Sequence, residues 1–281
     1  MNRRGAIDVL GKLMALLGLS RSSALAQVAG GTANETFQRM TAEFPYRIVT
    51  VPGRRVLEEW EKLRRQGDGW PVIVGDDDAL ERIMEQFSLD DAEVFPPSPQ
   101  ANWTAPPLRP VEQILAEART IDVPAKLQEL YDREYGADPF EIPPGPWPEP
   151  GSIVPMTITV DTDIRSGKTY PRVHIVVAPA NDPSEVPAYL RWGGWNACPD
   201  PEVHVAVHRK WRAQYGAEIV GISGDVINLR VARRPATREE AMALAREQFL
   251  YCSDIVLQGT DTLESLATSL MESDYWYFWW D

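Results

Sequence analysis

Cysteine, histidine and net positive charge are all scarce in this chain. Two cysteines, Cys198 and Cys252, among 281 residues cannot build a disulfide framework. They either form a single bridge in an exported protein or remain half-buried thiols. Lysine and arginine number 28 against 41 aspartates and glutamates, a net charge of −13. That balance excludes nucleic acid as a partner, because phosphate binding needs clustered Lys and Arg to release counterions. Beyond the N-terminus no segment is apolar for the roughly 20 residues needed to cross a bilayer, so no transmembrane span is expected in the mature chain. Walker, G-x-S-x-G and Rossmann patterns are missing as well, and Gly193-Gly194 is too short for a phosphate loop. No cofactor is expected.

The N-terminus allows two readings. Arg3-Arg4 precede an apolar stretch from Val9 to Leu19, and Ala24-Leu25-Ala26 has the small-x-small form of a signal-peptidase site. This order fits twin-arginine-like export with cleavage near Ala26. Asp8 just before the stretch and Lys12 inside it fit a cytoplasmic amphipathic helix instead. Either way residues 1–36 form a signal or tail segment.

After it, strand-like Tyr46–Val51, a helix over Arg54–Gln66, the apolar strand Pro71–Gly75 and a helix over Ala79–Phe87 make a small α/β element within residues 44–138. Asp76-Asp77-Asp78 at the start of that last helix suit its macrodipole; chelation of a hard cation is the alternative. Helices follow over Val111–Ala118 and Pro124–Tyr135. A Pro-rich run, 139–155, reads as a linker.

The segment 156–281 then alternates strands (Met156–Asp163, Arg172–Pro179, Ala217–Ser223, Val226–Ala232, Trp276–Trp280) with helices (Ser184–Arg191, Pro201–Tyr215, Thr237–Tyr251, Leu263–Met271). That order predicts an α+β domain with a mostly antiparallel sheet and packed helices, preceded by the smaller α/β element.

Aromatics are what the chain has in excess. Trp192-Gly193-Gly194-Trp195-Asn196-Ala197-Cys198-Pro199 opens the C-terminal region, and six of the last seven residues are aromatic. Chain ends normally fray, so such a terminus belongs in the core or on a binding face. Period-2 alternation puts Trp276, Phe278 and Trp280 on one side of the last strand, Tyr277 and Trp279 on the other.

Five segments carry a resemblance: WGGWNACP (192–199), the His204–Trp211 helix running into Tyr215-Gly216-Ala217-Glu218, RPATREEA (234–241), Glu247–Cys252, and YWYFWWD (275–281). In these, residues 170–281 resemble the bacterial family known as domain of unknown function 4253. The resemblance implies a domain identity and brings no activity, substrate or catalytic residue with it.

Candidate chemistry centres on the helix that opens at Asp200. His204 and His208 lie four apart, a spacing that puts two imidazoles on one metal, with Cys198, Asp200 and Glu202 nearby. Position 205 is Val, where a zinc protease would carry its base, and His204 shares its stripe with Trp211 and Tyr215, so packed histidines are expected and no metal site. Cys198 as a nucleophile with His204 or His208 as its base, and Asp200 beside them, is the hydrolytic alternative. The leading expectation is a non-catalytic binding or interaction module whose partner is another protein. Its contacts would come from Trp192, Trp195, Asn196, Trp211, Trp276 and Trp279. Sugar binding on exposed indole faces is the third reading, suited to an exported protein.

Overall fold

The computed structural model describes residues 33–89, 91, 107–136, 142 and 144–280. The expected export segment, with its cleavage near Ala26, lies outside the described residues, as does most of the loop before Pro110.

Helix α1 (Ala33–Glu43) leads into strand β1 (Arg47–Pro52), and a 3₁₀ turn at Gly53–Arg55 opens α2 (Val56–Gln66). Next come β2 (Trp70–Gly75) and α3 (Asp77–Ser88), where the Asp76 side chain accepts the Ala79 N–H at 3.0 Å as the N-cap. Helices α4 (Val111–Ala118) and α5 (Val123–Tyr135) precede a miniature hairpin of β3 (Thr162–Asp163) and β4 (Lys168–Thr169). The remainder is β5 (Arg172–Ala178), the short α6 (Val186–Tyr189), α7 (Pro201–Tyr215), β6 (Glu218–Ile222), β7 (Val226–Arg230), α8 (Arg238–Tyr251), a π-turn at Val256–Thr260, α9 (Leu263–Glu272) and β8 (Tyr275–Trp279).

Six strands form one mixed sheet in the order β1-β5-β2-β6-β7-β8, and the fold is α+β. Composition explains the central positions. Every residue of β2 is buried, as is every residue of β5 after Arg172, so both strands need covering on two faces and neighbours on two edges. The pairing of β2 with β6 is parallel; the other pairings in the sheet are antiparallel. Because β5 lies between β1 and β2, the Pro-rich run at 139–155 joins parts of a single sheet.

Helix boundaries follow the sequence closely, with α4 and α7 ending at the expected residues. The strand expected over Met156–Asp163 is a correction. This segment reaches strand geometry only at Thr162–Asp163, and the Arg165–Lys168 turn closes the two-residue hairpin there. Its upstream amides bond to a side chain instead of a neighbouring strand. Asn228 Oδ1, on β7, accepts from Thr159 N at 2.8 Å and from Val160 N at 3.2 Å. The crossing is close: a Cβ on Gly221 of β6 would stand 2.4 Å from the Val160 side chain.

The aromatic terminus is built in. Trp276, Phe278 and Trp280 are 2%, 0% and 2% exposed, while Tyr275, Tyr277 and Trp279 are half-buried. The buried set meets α7 and α8: Trp211 stacks on Phe278 at 5.3 Å and stands edge-on to Trp276, and Tyr251 is edge-on to Phe278 and Trp280.

Candidate functional site

The residues read as candidate chemistry do converge, but inside the core. Cys198 Sγ lies 3.4 Å from His204 Nε2, His204 Nδ1 lies 2.6 Å from the Tyr251 hydroxyl, and His208 Nε2 lies 2.9 Å from the same hydroxyl. Cys198 and His204 are 0% exposed and His208 1%. The rings of Trp192 and Trp280 close over His204 at 5.0 and 5.5 Å.

Hydrogen-bond accounting assigns the protons. The Tyr251 hydroxyl has one proton, so it donates to one of the two ring nitrogens beside it and accepts from the other; we assign Nδ1 of His204 as the acceptor, because its Nε2 lies on the side of the Pro199 carbonyl. Tyr251 oxygen then accepts from His208 Nε2–H. His208 Nδ1 is left as an acceptor with no partner, matching its unbonded state. The paired glycines make room for this arrangement. Gly194 N–H donates to Pro199 O at 2.8 Å, and at Gly193 (φ 111°) a Cβ would sit 2.3 Å from that oxygen and 2.8 Å from the imidazole.

Burial lowers the pKa of both histidines. His204 is held well below its ordinary value by desolvation first and the neighbouring His208 second; His208 drops to about 3 by desolvation alone. Burial likewise pushes the Tyr251 phenol up. Neutral imidazoles of such low basicity, without access to solvent, are poor general bases.

The same shifts set a pH dependence. The folded chain takes up no proton here near neutrality, whereas each histidine of the unfolded chain protonates near pH 6.5. The unfolded state therefore binds more protons as pH falls, so stability present above 6.5 is lost on acidification toward 3. The slope approaches ~1.4 kcal/mol per pH unit per histidine. Urea midpoints at pH 7.5, 6 and 5 should fall accordingly, and His208→Gln should remove about half the slope. A flat midpoint over that range would contradict the buried neutral pair.

The remaining predicted residues separate. Asp200 precedes α7 without a side-chain cap bond, and Glu202 pairs with Arg109 at 2.7 Å. Trp192, Trp195 and Trp211 are 0%, 5% and 0% exposed, so these indoles are core packing and present no open face. Asn196 is exposed at φ 40°, a left-handed position that Asn tolerates. Asp77 holds His174 Nε2 at 2.7 Å and pairs with Arg172; the His174 and Arg172 hydrogen bonds lower its pKa. Among the described residues no group of three His, Cys, Asp or Glu is placed to hold a metal ion.

The open concavity lies along β8. A trough with two ends shares Ile164, Tyr277 and Trp279. Its apolar end, about 390 Å³, runs along β8 between α8, α9 and the π-turn, with Ile255, Leu266 and Leu270 in its wall. Its acidic end, about 510 Å³, carries Asp76, Asp78, Asp163 and Asp225 against Arg82 and Arg165. Ile164, on the rim of both, is 87% exposed.

Two buried donors in the apolar wall are unsatisfied. Gln248 Nε2 and Trp276 Nε1 have no hydrogen-bond partner, although their residues are 1% and 2% exposed. Of the other buried indoles, Trp60 donates to Pro71 O and Trp192 to Ser223 O, each at 2.7 Å, whereas Trp280 Nε1, outside this wall, is unsatisfied as well. An unbonded buried donor costs about 1–3 kcal/mol, and both atoms are closed off from the cavity itself.

Of the predicted binding residues, Trp276 and Trp279 line this trough. Sequence reasoning missed Ile164 and Gln248, and it singled out Asp76 and Asp78 without joining them to Asp163 and Asp225. The period-2 pattern of the last strand was the available signal for the half-buried face.

Comparison with curated proteins and with solved structures yields no match. Residues 174–281 match the family model described as domain of unknown function (DUF4253), and the C-terminal region of this chain, from within β5 to its last residue, is a domain of that family.

Proposed function

We propose that the protein is a non-catalytic binding module that takes its ligand in the trough beside β8. The observation that carries this reading is an open, largely apolar concavity lying along the edge strand of the sheet. The hydrolytic alternative relies on a Cys198–His204 contact that is sealed from solvent. Sugar binding on flat indoles has little to use, since among the six C-terminal indoles only Trp279 is more than 5% exposed.

Two measurements test the proposal. A thermal-shift screen of the full chain against diverse small molecules and peptides should yield compounds that raise the midpoint of the wild type. Ile164→Asp, at an exposed rim position, should abolish those shifts without lowering the midpoint of the free protein. Hits that stabilise both proteins equally would place binding elsewhere. Thiol titration of the native protein should find neither cysteine reactive, and two after denaturation; rapid native labelling of Cys198 would return the hydrolytic reading.

A further inference from the structure

The geometry points to an extended peptide of a partner protein as the occupant of the trough, added as a strand to the free edge of β8. This rests on the binding role proposed above and specifies its ligand. β8 ends the sheet, with β7 on one side only. Val231 N donates to Asp274 O at 2.9 Å and Trp280 N to Asp225 O at 3.2 Å. In an antiparallel ladder these bonds fix the parity: even-numbered residues of β8 turn their amides to β7, and odd-numbered residues turn theirs outward.

Of the outward groups, the Trp279 carbonyl accepts the Cys252 thiol at 2.9 Å. The N–H and C=O of Tyr275 and Tyr277 have no partner among the described residues, and both residues line the apolar end. An edge of this kind is the template for strand addition, in which main-chain bonds supply affinity and side-chain pockets supply choice.

Two features select a peptide over an apolar small molecule. A peptide presents carbonyl oxygens at regular intervals, which the Tyr275 and Tyr277 amides require. The acidic end then gives the sequence preference. Four carboxylates against two guanidiniums, beside the Tyr277 and Trp279 rings, suit a lysine or arginine side chain through charge and cation–π attraction. The ligand is therefore an extended segment joining an apolar residue, for the Leu266–Leu270 side, to a nearby basic one.

The test begins with an array of random octapeptides probed with the full chain, which should enrich sequences combining those two residue types. The strongest sequence, as a synthetic peptide, is then titrated calorimetrically. Tyr275→Pro removes an outward N–H that no ladder bond uses, a substitution an edge strand tolerates; affinity should fall at least tenfold, while Tyr275→Phe retains it. N-methylation of the peptide backbone should weaken binding at alternate positions and leave the intervening ones tolerant. If circular dichroism shows Tyr275→Pro unfolded, the N-methyl series decides alone.

An array without enrichment overturns the inference, as does an N-methyl series without a period of two. So does a dimer of this chain that Tyr275→Pro dissociates, because the edge would then belong to a second copy. If small molecules still bind in an Ile164-dependent manner after any of these results, the binding role survives and only the peptide assignment falls.

Discussion

Residues 174–281, expressed alone, should fail to fold even though they span the whole matched family domain. The reason is topological. Within that segment β5 and β6 are not neighbours; β2, from outside it, lies between them. β2 pairs with β5 from Trp70↔Ala178 onward and meets β6 at Ile73↔Gly221. Val72, Ile73 and Val74 are each 0% exposed, and Trp70 Nε1 donates to Ile219 O of β6 at 2.7 Å.

Removing β2 opens two apolar strand edges and a slot the width of a strand through the middle of the core. The lost burial of three aliphatic side chains is roughly 1.5–3 kcal/mol each, and unpaired central edges aggregate. Against a total stability of about 5–15 kcal/mol, the fragment should show no cooperative thermal transition and should precipitate or elute as aggregates. Residues 33–281 should melt cooperatively. A soluble fragment with dispersed amide resonances would mean that β5 and β6 can close on each other without β2.

Legibility from sequence tracked locality. Helix α7 was readable to the residue because its signals are adjacent: Pro201 in the first turn and Gly216 just past the end. Alternation in the last strand separated its buried from its half-buried aromatics. What the sequence hid was partnership at long range. Nothing in PVIVG says that its neighbours are residues 172–178 and 218–222, so the Pro-rich run looked like a boundary between units. Nor does Met156–Val160, apolar and β-branched, announce that its amides end on the side chains of Ser273 and Asn228 rather than on a strand. The tryptophans misled for a related reason. Burial depends on what covers a side chain, and Trp192 is covered by Trp280 and by His204 of α7, elements that share no local pattern with it.

Deleting residues 274–281 should abolish folding as completely, through packing instead of topology. The deletion removes three aromatics at or below 2% exposure, Trp276, Phe278 and Trp280, and the whole edge strand that pairs with β7. Truncating one such side chain to alanine costs about 3–5 kcal/mol. The three share neighbours, so their effects do not simply add; even two-thirds of the sum approaches the entire stability of an ordinary domain.

The loss extends to the polar core. Trp280 stands over Trp192, His204 and Tyr251 at 5.6, 5.5 and 5.2 Å, and without it water reaches a histidine pair that stays neutral only while dry. Far-ultraviolet circular dichroism and urea titration of the shortened chain should show no native baseline at 25 °C. Trp280→Phe, which keeps a ring over His204, should stay folded with a lower midpoint. A shortened chain that unfolds cooperatively near the wild-type midpoint would show that α7, α8 and the paired-glycine segment form a core without the last strand.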